Sequence, residues 1–139
     1  RIIWKNLTGI GFPKKVTAKD LTPEAFQIGI SQELIDGTDT RVHLVDKDLF
    51  PTELHSESWT FVADKDIELR RISIPDSLKQ QCYDIAERLN LSLSGIDFRR
   101  TEDGRYVCFE ANPSPQFGVY EEQNDYPISA AIADLLIKG

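Results

Sequence analysis

Apolar and polar residues alternate over short stretches along most of this chain, and helical spacing takes over in its second half. Arg1 to Leu7 reads as a strand closed by Thr8-Gly9, with Ile2, Ile3 and Trp4 as its apolar bulk. Thr22-Pro23-Glu24 has the cap-then-proline signature of a short helical turn. Phe26 to Ile35 is again strand-like and breaks at Asp36-Gly37. Thr40 to Val45 and Leu49 to Ser56 form a hairpin around Asp46-Lys47-Asp48, with Pro51 early in the return strand, where a missing N–H suits an edge. Asp64 to Asp66 is a charged loop and Ile67 to Ile72 a further strand. From Pro75 to Asn90 the positions Leu78, Cys82, Ile85 and Leu89 recur at helical spacing. A hairpin spans Gly95 to Pro113, an irregular loop Asn112 to Gly118. A last helix opens at Pro127, carries Ile128, Ala131, Ile132, Leu135 and Leu136, and stops at Gly139. Strands first, then helix, hairpin and helix, predict an α+β fold: a largely antiparallel sheet packed with two main helices.

The second hairpin carries the chemistry. Asp103-Gly104 is a signal for a type I′ turn, whose two central residues both need φ > 0. About that turn Glu102 faces Arg105, Phe98 faces Phe109 and Asp97 faces Glu110. The two carboxylates then stand with Cβ atoms roughly 4.5–5.5 Å apart, an arrangement that destabilises like charges. Asn112, two residues beyond Glu110, shares that face. Two carboxylates and a carboxamide oxygen suit a hard cation such as Mg²⁺, which turns repulsion into attraction. Acidic residues on one hairpin face are also what the solvated side of a half-buried sheet looks like, and a four-residue loop from Thr101 to Gly104 would dissolve the pair.

Composition narrows the class. The 139 residues are 40% hydrophobic and 28% charged, enough for one domain with a core. A net charge of −7 argues against a nucleic-acid or anionic-membrane surface. No apolar run approaches the ~20 residues of a membrane span. There is no methionine, so the chain reads as an excised or processed piece of a longer protein. Cys82 and Cys108 make no disulfide framework and suit small buried thiols in a reducing, cytoplasmic setting.

With these elements placed, the chain resembles the C-terminal part of the ATP-grasp superfamily, in particular RimK-like glutamate ligases and microviridin-type peptide ligases. The match runs over most of the chain and is most specific in Gly95-Ile96-Asp97-Phe98 and Phe109-Glu110-Ala111-Asn112-Pro113. It implies that Asp97, Glu110 and Asn112 hold the Mg²⁺ ions, two of them, that bridge the ATP phosphates. The tail from Tyr126-Pro127-Ile128 to Ala133-Asp134-Leu135-Leu136 is similar to the closing helix of microviridin-type enzymes. Gln32-Glu33-Leu34-Ile35 resembles the hinge whose backbone meets the adenine edge, so Gln32, Glu33 and Leu34 are implied nucleotide contacts; an ordinary edge strand has the same look. Asp39-Thr40-Arg41-Val42 resembles the segment in which an Arg reaches the phosphates, with Asp39 toward the ribose. Arg41 suits phosphate because its planar fork donates in pairs, although a three-residue hairpin loop would place Glu53 opposite it as a plain ion pair. Lys5 resembles the lysine on the strand before the phosphate loop, and Thr8-Gly9-Ile10-Gly11 suits that mobile flap. Glu68-Leu69-Arg70-Arg71 resembles an Asp-Trp-Arg stretch, departs from it at two positions, and makes Arg70, and after it Arg71, a candidate for phosphate or substrate carboxylate.

The resemblance implies an ATP-dependent carboxylate–amine or carboxylate–hydroxyl ligase that works through an acyl phosphate on a peptide or protein, with Arg41 and Arg70 as its catalytic cations. The alternatives are a ligase for a small amino acid or metabolite and a non-catalytic interaction module. The implied partners are the peptide or protein substrate, the N-terminal half of the same protein with its substrate domain and part of the first ATP-binding subdomain, and a second copy in a homodimer. Nucleic acid and membrane are not among them. His43 and His55 lie in a hairpin and read as structural or surface residues.

Overall fold

A computed structural model describes residues 2–6, 14–20, 29–56 and 67–138. The flap at 8–11, the helical turn at 22–24 and the charged loop at 64–66 lie outside the described residues. Two antiparallel sheets form the frame. The first has strand order β2-β1-β3, from β1 (Ile2–Asn6), β2 (Lys14–Val16) and β3 (Gly29–Glu33). The second has order β6-β5-β4-β7-β8, from β4 (Thr38–Val45), β5 (Asp48–His55), β6 (Glu68–Arg71), β7 (Leu93–Arg100) and β8 (Tyr106–Asn112). Three α-helices follow the strands or interrupt them: α1 (Asp76–Leu89), α2 (Gly118–Asn124) and α3 (Ile128–Lys138). The expected α+β class and antiparallel sheet are what the structure has. The sequence pattern missed α2, which lies just after the irregular loop, and β2. Among the described residues no helix is long and apolar enough to cross a membrane.

The five-stranded sheet is buried on both faces, with different partners. Val42, Leu44, Ile96 and Phe98 point one way and meet Leu78, Cys82 and Ala86, spaced four residues apart on α1. That stripe lies on one side of a helix with 3.6 residues per turn. Ile85 packs partly against it, whereas Leu89 is 54% exposed in the last turn. Cys82 is buried as expected, but Cys108 on the edge strand β8 is exposed. Pro75 precedes the helix, its carbonyl taking the Leu78 and Lys79 N–H groups, and Asn90 closes it in the left-handed region at φ 53°. On the other face Val45, Phe50 and Leu54 meet Tyr120, Tyr126 and Ile128 of the α2–α3 segment.

The first hairpin turns tighter than its Asp46-Lys47-Asp48 reading. Val45 pairs with Asp48, leaving a two-residue loop with Asp46 at φ 52°. Arg41 therefore faces Thr52, and Glu53 faces Thr40. Strand β5 is interior, yet the edge argument for Pro51 survives locally. The Pro51 carbonyl accepts the Ile72 N–H, so its nitrogen faces β6 just past the last β6 pair, Thr52 with Arg71, where no ladder bond is missed.

The second hairpin corrects the type I′ expectation. Gly104 N–H bonds Thr101 O and Thr101 N–H bonds Arg105 O, each at 2.9 Å, so the loop is Glu102-Asp103-Gly104. The positive φ, 82°, falls on Gly104 and not on Asp103. This is a type I turn followed by a left-handed glycine, the usual three-residue hairpin connection. Pairing then runs one residue out of step with the expected register: Arg100 with Tyr106, Arg99 with Val107, Phe98 with Cys108. The register shifts between Phe98 and Asp97, where Phe109 is the extra residue of a β-bulge. Beyond it Asp97 pairs with Glu110, Ile96 with Ala111 and Gly95 with Asn112.

Candidate active site

One row across the five-stranded sheet reads Arg71, Thr52, Arg41, Asp97, Glu110. Ile96 and Phe98 face α1, so Asp97 between them faces the other side. Arg41 and Asp97 meet there as a planar fork, Nε to Oδ1 at 2.7 Å and Nη2 to Oδ2 at 2.5 Å. Their side chains are 13% and 18% exposed. Burial works against the Arg41 cation, but the Asp97 bonds and charge, with Tyr120 and Glu110, outweigh it and raise its pKa. The counter-charge for the carboxylate pair is thus a guanidinium from the neighbouring strand. The Tyr120 ring lies 5.8 Å from the Arg41 guanidinium carbon, near enough for a cation–π contact.

The loop after β8 is held against this row. Asn112 Oδ1 accepts the Ser114 N–H at 2.9 Å, and His43 Nε2 donates to the Gln116 carbonyl at 3.1 Å. A carbonyl only accepts, so His43 carries its proton on Nε2. Burial pushes the His43 pKa down to about 4, and the Arg41 charge pushes the same way, so the ring is neutral and packs edge-on to Tyr120 at 4.7 Å. Gly95 is required where the loop crosses β7: a Cβ there would lie 2.6 Å from Pro115 Cβ. The structural reading of His43 holds, with the loop as its task.

Beside the row lies a pocket of about 230 Å³ to which both sheets contribute. Lys15 of β2 and Leu34 just after β3 line one side, Asp39, Leu54, His55 and Arg99 the other. The volume is below the ~300–1,000 Å³ of drug-sized ligand sites and suits a ring-sized group. Arg99 donates to both Asp39 oxygens at 2.6–2.8 Å and to the Ile35 carbonyl at 3.0 Å.

The sequence candidates distribute as follows. Asp97, Glu110 and Asn112 share one face, with Arg41 in the same row. Leu34 and Asp39 line the pocket; Gln32 and Glu33 lie in β3, paired with Ile3 and Ile2. Lys5 pairs with Ile30 in β1, and its side chain lies outside what is described. Arg70 is the departure. It sits opposite Glu53 on the α1 face, forked onto Glu68 at 2.8 Å and exposed. Strand alternation gives the row to Arg71, whose guanidinium lies 4.8 Å from the Tyr126 ring. Sequence reasoning missed Arg99; the signal was its place two residues after Asp97, on the same face. No group of three or more His, Cys, Asp or Glu fit to hold a metal occurs among the described residues. The candidate set here is two carboxylates and an amide.

No family model and no curated protein matches the sequence. Solved structures do. The ATP-grasp ligase PsnB, complexed with a phosphomimetic variant of minimal precursor, Mg and ADP, is 26% identical with a TM-score of 0.81, over 99% of this chain and 45% of that one. The macrocyclase MdnB from Microcystis aeruginosa MRC is 32% identical with a TM-score of 0.66, over 80% and 41%. A Chryseobacterium gregarium RiPP-associated ATP-grasp ligase, in complex with ADP and a leader and core peptide, shares the fold at 17% identity and a TM-score of 0.78, over 99% and 48%. The chain spans about half the length of these ligases. Over nearly its whole length the chain thus has the fold of ATP-grasp ligases, RiPP-associated ones among them, and resembles them in sequence.

Proposed function

We propose that this chain forms the nucleotide- and cation-binding part of an ATP-dependent ligase that joins a carboxylate to an amine or hydroxyl on a peptide or protein. One observation carries the reading: Arg41, Asp97 and Glu110 stand in line on three adjacent strands, beside a pocket to which both sheets contribute. The neighbour PsnB, solved with minimal precursor and with a precursor peptide, supports a peptide substrate.

The donor set fits Mg²⁺, since Asp97, Glu110 and Asn112 offer only oxygens and two of them carry charge side by side. Two such ions, when bound, would offset phosphate charge. The rest falls to the protein. Leu34 gives the pocket an apolar wall, the backbone of Gln32 to Leu34 offers the adenine edge its donors and acceptors, and Asp39 stands toward the ribose. Lys5 is assigned to the phosphates as a point charge on the family resemblance alone. Arg41 is the central cation: the fork that now holds Asp97 fits two phosphoryl oxygens equally well. In the first step a substrate carboxylate oxygen attacks the γ-phosphorus and the bond to the β-phosphate oxygen breaks, giving acyl phosphate and ADP. In the second the amine or hydroxyl attacks the acyl carbon, phosphate leaves, and the nucleophile's proton passes to solvent. Positioning and charge carry the first step, with no protein nucleophile.

Glu110→Gln in the native-length protein tests this. It keeps the shape and removes one charge, and ATP turnover is expected to fall by roughly 10²-fold or more. Unchanged turnover would sink the metal assignment. Mass spectrometry of a peptide substrate, reading loss of water per bond formed, separates a peptide ligase from one acting on a free amino acid.

A further inference from the structure

Arg99 has no role in the chemistry above, yet it touches three parts of the site. It faces Asp39 across β4 and β7, and both its Nε and Nη2 reach that carboxylate. Its Nη1 donates to the carbonyl of Ile35, the last residue of the hinge segment. Its guanidinium carbon lies 5.6 Å from the centre of the Phe109 ring, and Phe109 is the bulge residue that puts Glu110 opposite Asp97. The Arg99–Asp39 pair is largely buried, at 11% and 16% side-chain exposure. A buried ion pair is a weak source of net stability, because desolvation cancels most of the attraction. Fixed geometry is the better account of what this one contributes.

The backbone beside it is equally constrained. Gly37 turns from β3 into β4 at φ 150°, and a Cβ there would lie 2.2 Å from the Arg100 carbonyl oxygen. The hinge turn is therefore pressed onto the end of β7 immediately next to Arg99. One side chain thus links the pocket wall to the bulge that sets the carboxylate pair.

We propose that Arg99 is a positioning residue that couples occupancy of the pocket to cation binding at Asp97 and Glu110. A base in the pocket fixes the Ile35–Asp39 turn, Arg99 transmits that order to Phe109, and the bulge holds Glu110 in register. Such coupling is reciprocal. The inference rests on the nucleotide reading of the pocket, and the probes are chosen to separate the two. Mn²⁺ alone and adenosine, which lacks phosphates to touch the metal, are titrated into the native-length protein. Adenosine is expected to tighten Mn²⁺ binding about fivefold or more in the wild type, within the ~5–150-fold range of couplings between sites. Arg99→Lys keeps the charge but not the fork, and each probe should still bind singly while the coupling disappears. Phe109→Leu leaves the Arg99–Asp39 pair in place and should also uncouple, so a poorly folded lysine variant does not stop the test. Coupling that persists in either folded variant overturns the proposal, as does a wild type that binds both probes independently. A wild type that binds neither probe overturns the nucleotide reading itself, and this inference with it.

Discussion

Removing Arg41 should expose the repulsion that it now offsets. In Arg41→Met the aliphatic volume is largely kept, and Asp97 and Glu110 are left on facing positions of β7 and β8. Facing Cβ atoms lie about 5 Å apart. At an effective dielectric of about 20, two like charges at that distance repel by about 3 kcal/mol. Glu110 is exposed and can swing outward, so solvent lowers this figure, whereas Asp97 also loses both bonds of its fork. Loss of one partner from a buried pair typically costs about 3–5 kcal/mol. Together these predict a loss of about 2–4 kcal/mol, read from the urea midpoint at constant m-value. The sharper readout is cation dependence. In the wild type Arg41 already occupies both Asp97 oxygens and competes with the cation, so Mg²⁺ without nucleotide should bind measurably but weakly and stabilise only modestly. In Arg41→Met, Mg²⁺ should bind more tightly and recover a good part of the loss. A loss below about 1 kcal/mol would refute the electrostatic account. An equal Mg²⁺ effect on both proteins would refute the shared site.

Two other predictions follow from the loop after β8. Gly95→Ala drives a Cβ to 2.6 Å from Pro115, so Pro115 and the Gln116 carbonyl must move; a loss of about 1–3 kcal/mol in thermal unfolding is expected, and a neutral variant would show that the crossing is loose. His43 is neutral in the fold, with a pKa pushed down to about 4 from its ordinary 6.5, so below 6.5 the unfolded chain takes up a proton that the folded one refuses until about 4. Stability is lost as pH falls through that window, by up to about 3 kcal/mol, and His43→Gln should flatten the slope; an unchanged slope would assign it to the carboxylates.

What was legible in the sequence was whatever one element fixes by itself. The α1 stripe, the β4–β5 hairpin and the alternation that turns Asp97 from the core need only local period and a partner face. Family resemblance names both Arg70 and Arg71 and ignores strand parity, yet one residue decides which face a side chain joins, and the row takes Arg71. Leu34 and Asp39 were legible as residues, but the pocket was not, since it needs two sheets brought together. Arg99 was hidden for the same reason: Asp39 and Ile35 lie about sixty residues away in sequence.

The pairing of Asp97 with Glu110 was expected from a turn that does not form, and the reason it exists is more informative than the turn. Ile96 and Phe98 are fixed by the core against α1, and on β8 both Tyr106 and Ala111 pack against that same cluster. Residues on one face of a strand are an even number of positions apart. Tyr106 and Ala111 are five apart, so a regular strand cannot bury both. One residue has to be absorbed, and Phe109 is the one, supported from the other face by Arg99. With the bulge there, Glu110 falls opposite Asp97 whatever the turn does. The carboxylate pair is thus imposed by how β8 packs on the core. That is why the chain tolerates its repulsion, and why it has placed Arg41 on the adjoining strand to meet it.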